Sequence, residues 1–590
     1  MFLLSMKQYK IFIIIASVLM VLTTCVISKE VTIKYFFAGI YYGNNNGQSD
    51  IIFSRNSGFY NEEFWLHIYA PTDEIYYTLD GSDPDINSLK YEKPMIIKDA
   101  TGNSNVYSMR TDVTTRFSEE ISEEYIDLSN EPNYAIPQNL VDKCNVLKVV
   151  YYDKSGNRSE ITERIYFVGF NEKEGYENIN IISVTTDPDN LFDYENGIYV
   201  TGARFDSYCE EGIPEDELDS WEHWNANYRQ KGKKWEKESS IQVFNTEKKL
   251  VLSQNVGLRI QGGASRGYYP KSLNIFARNE YGDTRLNYDF WGTGYTPKRV
   301  TLTCGGNDYY TKVRDRLGCE LSENTNIATM HYEPYVLFLN GEYWGFFYLT
   351  EKYDAQYVEY YYGVDRGQND ENIVMIKNGK IEVGADEDRK YLYETMVNFI
   401  EDYDMSVEKN YQKACELIDI ESFIDYFAIE SYIARIGDWP ESNYALWRSK
   451  NISDKPYEDG KWRWMLFDVN SKSMKSGYYD FDYIEENREE SKMFDSLCEN
   501  DEFKRKFSER IIELSNTIFE KEVVNQKIDE YVQLMDEPIK KHFQRFFCTD
   551  NELFHVGIEE IRFFFNEREP YIAETIEYHF GKEFLGEMAQ

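Results

Sequence analysis

The 590-residue chain is poor in the residues that mark metal and disulfide proteins. Its eight cysteines include no CxxC pair, and its six histidines show no HxxxH spacing. Neither a structural zinc site nor a disulfide framework is therefore expected. Proline is scarce, at 14 residues, so Pro-rich linkers are absent. Positive charge is also short, with 64 Lys and Arg against 103 Asp and Glu, a net charge of −39. Such a field repels duplex phosphates, which argues against a nucleic-acid partner and favours cationic ones. Beyond the first 30 residues, no apolar run approaches the roughly 20 residues needed to cross a bilayer.

The exception is the N-terminus. Lys7 and Lys10 precede the apolar run 11–22, which is followed by Thr23-Thr24-Cys25. A basic start and a short apolar stretch form a signal-peptide pattern. Extended to Ile27, the run also has the length of an uncleaved membrane anchor, and Cys25 is a position for lipidation. Residues 1–28 are thus expected to be a leader or anchor, with the bulk of the protein exported, extracellular or held at the cell surface.

Aromatic residues are abundant, at 16% with 50 tyrosines. From 30 to 170 they fall in short alternating runs (64–69, 75–79, 94–97, 146–152, 161–168) separated by polar turns at 80–84 and 153–157. This spacing predicts an antiparallel β-sandwich, with Asp80 and Asp83 serving the turn. Residues 180–590 form a second, larger domain of strands followed by helices, an α+β chain overall. Within it, the glycines of 262–267 mark a loop where backbone can approach a ligand closely, and Lys271 begins the strand that follows. A helix is predicted over 310–322, bearing Arg314, Asp315 and Glu320, the last a possible partner for Lys271. Asn340-Gly341 between apolar runs predicts a tight hairpin, whose exit at 350–354 leads into a helical stretch. Further helices are expected at 386–403, 411–418, 421–435, 494–519, 522–535, 538–547 and 553–581.

The chemistry concentrates between 437 and 470. Asp438 is followed five residues later by Asn443, then by strand-like runs 444–448 and 462–467 joined through a polar loop, then by Asp468. A hairpin there returns Asp468 to the side of Asp438 and Asn443. An acid, an amide and a second acid in this order match the parts needed for phosphoryl transfer: a group for the hydroxyl proton and oxygen ligands for Mg²⁺. The loop at 262–267 departs from the G-x-G-x-x-G-x-V form, and its lysine follows too closely, which excludes an ordinary protein kinase.

Four blocks, GGASRGYYPKSLNIFAR (262–278), GGNDYYTKVRDRLGCEL (305–321), FLNGEYWGFFYLTEKYD (338–354) and GDWPESNYALWR with FDVN (437–448 and 467–470), resemble the spore-coat CotH family of atypical, secreted kinase-like proteins. The resemblance implies a two-lobed kinase-like fold and ATP-dependent phosphorylation of serine or threonine on coat or surface proteins, using Mg²⁺ or Mn²⁺. Carried over by position, Asp438 and Asn443 are catalytic, and Asp468, Asn443 and Asn470 hold metal. Arg266 and Lys271 contact the nucleotide, and Glu351 meets adenine at the hinge. The family often places a second acid where this chain has Asn470. That departure keeps open a non-catalytic, kinase-fold assembly protein. YYTLDGSDPD (76–85) and VVYYDKSGNRSE (149–160) resemble the immunoglobulin-like module at the C-terminal end of chitobiase-type hexosaminidases. That resemblance raises carbohydrate or cell-surface contact through the sandwich, though no glycosidase carboxyl pair is recognisable. The expected protein partner is a basic, Ser-rich substrate.

Overall fold

A computed structural model describes residues 50–116, 134–218, 220–437, 439–440, 442–470 and 472–586. The expected leader lies outside these residues, as does the acidic stretch 118–131. The fold is α+β, with β-rich structure on the N-terminal side and a helical C-terminal part. The chain divides into two compact units.

The first unit takes Glu62–Lys98, Val146–Arg164 and the described residues up to Ser57. Ile75–Thr78 pairs antiparallel with Leu89–Lys90 on one side and with Asn145–Tyr151 on the other. Phe64–Leu66 pairs with Met95–Ile97, and Ile52–Phe53 with Ile68–Tyr69. Alternation places Leu66, Ile68, Ile75, Ile97 and Val149 inside. The two acids of the DGSDPD turn have structural partners. Asp80 Oδ1 accepts from the Ser82 amide at 3.1 Å, and Asp83 pairs with Lys148 at 2.8 Å.

The second unit contains Gly58–Asn61, Asp99–Asn145 and everything from Ile165 onward. Its central sheet has seven strands: β1 (Asn180–Thr185), β2 (Lys237–Phe244), β3 (Leu250–Ile260), β4 (Leu273–Phe276), β5 (Arg299–Thr303), β6 (Tyr332–Leu339) and β7 (Glu342–Thr350). They close into a barrel in the order β1-β2-β3-β4-β5-β7-β6. A parallel β1–β6 pairing, Ile181 opposite Val336, makes the closure, which no local pattern announces. Asn340 and Gly341 both take positive φ, 46° and 87°, as expected of the turn between β6 and β7.

Every residue of β7 is buried because a helix covers its outer face. This is the 26-residue helix Lys521–Phe546. Gly345 permits the contact, since a Cβ there would lie 2.6 Å from His542 Nδ1. The predicted break between 535 and 538 does not occur, and Pro538 sits inside the helix. The packing compensates for the missing amide: Pro538 is buried against β7 and its carbonyl accepts from Tyr343 Oη at 3.4 Å. Conversely, the helix expected over 494–519 is two helices, Lys492–Leu497 and Asp501–Ser515, because Asn500 caps the second with its side chain.

Asp142 anchors the segment Asp99–Asn145 within this unit. Lys173 and Lys541 each approach it to 2.9 Å, and Tyr176 Oη donates at 2.7 Å. Burial alone would raise its carboxyl, but Lys541 and these hydrogen bonds hold it down at about 2. A depressed folded value gives stability that is fully present above the unfolded value of about 4 and lost as pH falls through about 2. Asp142→Asn is expected to destabilise by about 2 kcal/mol at pH 7. The gap between wild type and variant should narrow in denaturation curves taken between pH 4 and 2.

Candidate active site

A second sheet orders the residues of interest. Its strands are β8 (Ile373–Lys377), β9 (Lys380–Val383), β10 (Ala445–Ser449) and β11 (Arg463–Met465), in the order β9-β8-β10-β11. Ala445 lies opposite Lys377 on one side and opposite Met465 on the other. The register therefore brings Asn443, just before β10, Lys377, at the end of β8, and Asp468, just after β11, to one end of the sheet. Behind them Met375, Trp447, Met465 and Phe467 pack with Tyr353 and Tyr357 in one buried cluster. Tyr353 Oη donates to the carbonyls of Ala328 and Leu466 at 2.9 and 2.7 Å, fixing the strand that leads to Asp468.

Asp468 is exposed and left-handed, with φ 58°, and Asn443 also takes positive φ, 56°. Acids and amides tolerate this backbone better than other side chains. Two residues on, Asn470 is 6% exposed, and its amide nitrogen donates to Asp315 Oδ2 at 2.5 Å. Asp315 is the second residue of α1 (Arg314–Ser322), the helix between β5 and β6. The approach is close because Gly318 of α1 has no side chain: a Cβ there would lie 3.0 Å from Val469 Cγ2. Gly306, with φ 55°, closes over the amide, its Cβ position 3.0 Å from Asn470 Nδ2. Arg314 locks the arrangement. It binds Asp308 Oδ1 at 2.6 Å, the Ser473 carbonyl at 3.0 Å and Glu560 at 2.9 Å. Burial, reinforced by the charge of Asp468, raises the Asp315 carboxyl to about 7, against the hydrogen bond from Asn470.

Two further lysines, Lys377 and Lys352, bear on this end of the sheet. Lys377 holds its ammonium 4.0 Å from the Phe467 ring centroid. Burial lowers its pKa, and the charge of Asp468 works in the opposite direction. Lys352, on the segment leaving β7, is pushed down to about 8 by burial and by repulsion from Lys377 and Arg299.

Lys271 and Arg266 instead brace the glycine loop from within. The Lys271 ammonium is fully buried, donates to the Arg266 and Tyr268 carbonyls at 2.6 and 3.1 Å, and sits 3.7 Å from the Tyr228 ring centroid. Burial drives its pKa far down. Arg266 binds the carbonyls of Gly262, Tyr228 and Gln230 at 2.8, 3.2 and 3.0 Å. Both side chains thus hold loop carbonyls. Glu320 pairs with Arg316 and Lys527 rather than Lys271. Glu351 likewise turns inward. Its buried carboxylate accepts from the His331 amide and shares a hydrogen bond with His331 Nδ1, both at 2.9 Å, and takes the Tyr361 hydroxyl.

Asp438 lies outside the described residues, but what flanks it is fixed. Trp439 is buried and donates from its indole to Tyr426 Oη at 3.0 Å, while Gly437 lies close to the Lys472 ammonium. The helix α2 (Ile420–Tyr432) that leads there ends on Arg568, whose guanidinium donates to the Ser431 and Tyr432 carbonyls at 3.0 and 3.2 Å.

Among the described residues, no group of three or more His, Cys, Asp or Glu side chains is placed to hold a metal. Oxygen donors are present in another form. Asn470 Oδ1 and Asp315 Oδ1 are buried without a hydrogen-bond partner, close to the exposed Asp468 carboxylate. Hard divalent cations take oxygen ligands of this kind.

The second unit thus carries a closed barrel, a four-stranded sheet with acids and amides at one end, and a helical C-terminal part. The chain belongs to the CotH kinase family: the family model described as CotH kinase protein matches residues 258–572, more than half its length. A model described as Fn3 associated matches residues 66–166. No curated protein sequence matches the chain. Asp315, Lys377 and Lys352 received no role from sequence. Asp315 was visible only as an acid on a helix, and the two lysines stood in strand and hinge runs without a motif.

Proposed function

We propose that the protein is an exported or surface-attached kinase that transfers the γ-phosphate of ATP to serine or threonine of a coat or surface protein. The observation that carries this reading is the register of the second sheet, which gathers Asn443, Lys377 and Asp468 at one end beside the unpaired Asn470 oxygen. Asp438, five residues before Asn443, is the acid that accepts the substrate hydroxyl proton. Lys377 and Lys352 supply positive charge for the phosphates in place of Lys271. Asp468, Asn470 and Asn443 are the metal-side oxygens, and a bound Mg²⁺ or Mn²⁺ supplies charge neutralisation at the phosphates. The net charge of −39 suits a basic, Ser-rich protein substrate. The N-terminus serves for export or anchoring, and the N-terminal module for cell-surface or carbohydrate contact.

The test is transfer of labelled phosphate from ATP to the protein itself or to a basic, Ser-rich peptide, with Mg²⁺ and with Mn²⁺. Wild type is expected to label, and Asp438→Asn to lose at least about 10²-fold in rate. Wild-type protein that transfers nothing with either metal would leave the non-catalytic assembly role, motivated by Asn470, as the better reading.

A further inference from the structure

We infer that Asp315 is a direct ligand of the divalent cation, making the metal site a composite of α1 and the 468–470 loop. The inference rests on the kinase reading of this site and adds a residue to it.

Three independent features converge on Asp315. Its Oδ2 accepts the Asn470 amide nitrogen, and that bond fixes the amide's orientation. With the nitrogen so committed, the amide oxygen is left as the free donor, and it is buried without a partner on a residue only 6% exposed. The second oxygen of Asp315 is buried and unpartnered as well. Buried oxygens without partners are uncommon in folded proteins, and a bound cation would satisfy both of these. Among the described residues, the Val469 amide is the backbone donor facing the Asp315 carboxylate, and the nearby guanidinium of Arg314 is taken by Asp308, Thr311, the Ser473 carbonyl and Glu560.

The charge count agrees. Asp468 contributes one negative charge and Asn470 none, so Asp468 alone leaves a divalent ion half neutralised. Asp315 supplies the second charge from the neighbouring helix. Its position is not adjustable, because Arg314 pins the start of α1 to Asp308 and to the chain at Ser473, and Gly318 lets the helix sit directly on Val469. The backbone of Gly306 covers the amide from the other side. With Asn443, the composite arrangement gives an oxygen-only site of two carboxylates and two amides, the ligand chemistry of Mg²⁺ or Mn²⁺.

The probe is Mn²⁺ alone, without nucleotide, titrated into the full-length protein and followed by loss of the free-ion electron paramagnetic resonance signal. Circular dichroism confirms folding of each variant. Wild type is expected to bind. Asp468→Asn and Asp315→Asn are each expected to weaken Mn²⁺ about tenfold or more. Asn470→Asp is expected to tighten it, and to restore binding when added to Asp315→Asn. If Asp468→Asn weakens Mn²⁺ while Asp315→Asn does not, the kinase reading stands and the role of Asp315 is overturned. If Asp315→Asn does not fold, Asp315→Glu decides, since moving the carboxylate by one methylene should weaken Mn²⁺, and an unchanged affinity overturns the composite site. Wild-type protein that binds no Mn²⁺, with or without ATP, overturns both.

Discussion

Asp468→Asn is expected to reduce phosphate transfer at least about 10²-fold, about 2.7 kcal/mol of barrier, while leaving the fold intact. Asparagine is the informative replacement. The backbone at 468 has φ 58°, which asparagine accepts, whereas alanine would add strain that confuses a catalytic loss with a folding one. The side chain is exposed and lies beyond the packed Phe467, so its charge contributes little to holding the sheet together. Stability should change by no more than about 0.5 kcal/mol, as for an ordinary surface substitution. A single-turnover assay with labelled ATP, run beside a thermal melt, separates the two effects. Activity kept within a few-fold of wild type would remove Asp468 from the metal side of the site.

The largest expected change in stability comes from a residue far away in sequence. Arg568, on the helix Glu552–His579, is wholly buried and donates to four backbone carbonyls: Ser431, Tyr432, Tyr479 and Phe481, at 3.0, 3.2, 2.9 and 2.9 Å. The first two are at the last turn of α2, where helix carbonyls lack internal partners and a positive charge is favoured. The other two belong to the chain beyond the 468–470 loop. One guanidinium thus ties together the two segments that carry Asp438 and Asp468. Arg568→Met keeps the volume and leaves the four carbonyls unsatisfied, an expected loss of about 3–5 kcal/mol. Arg568→Lys should recover only part of this, since an ammonium lacks the planar fork that reaches four acceptors. Denaturant midpoints for the three proteins measure it, and a loss below about 1 kcal/mol for the methionine variant would show that water replaces the guanidinium.

The parts of this architecture that were legible in sequence are those set by local rules. The Asn340-Gly341 turn, the alternating strands around it and the β10–β11 pairing followed from residue type and spacing. So did the arrival of Asp468 and Asn443 at one end of the sheet. The burial of Lys271 was not legible: a lysine beside a glycine loop reads as a phosphate ligand, and only three-dimensional packing seats its ammonium on the Arg266 and Tyr268 carbonyls. The same holds for Glu351: position in the chain places it at the exit of the hairpin, but the direction of its side chain depends on His331 and Tyr361. Asp315 was hidden because its meaning depends on Asn470, 155 residues later. Long-range pairings of this kind, like the parallel closure between β1 and β6, leave no periodic trace.

The most direct measurement is thermal stabilisation by ATP with Mn²⁺, compared with each alone, on wild type and on Asp468→Asn. A ligand present at about 100 times its dissociation constant stabilises the native state by about 2.7 kcal/mol. Wild type is expected to gain an upward shift with the pair that exceeds either component, and the variant to lose most of it. A wild-type melt indifferent to ATP and Mn²⁺ together, or equal shifts in both proteins, would contradict a nucleotide–metal site at the end of the second sheet.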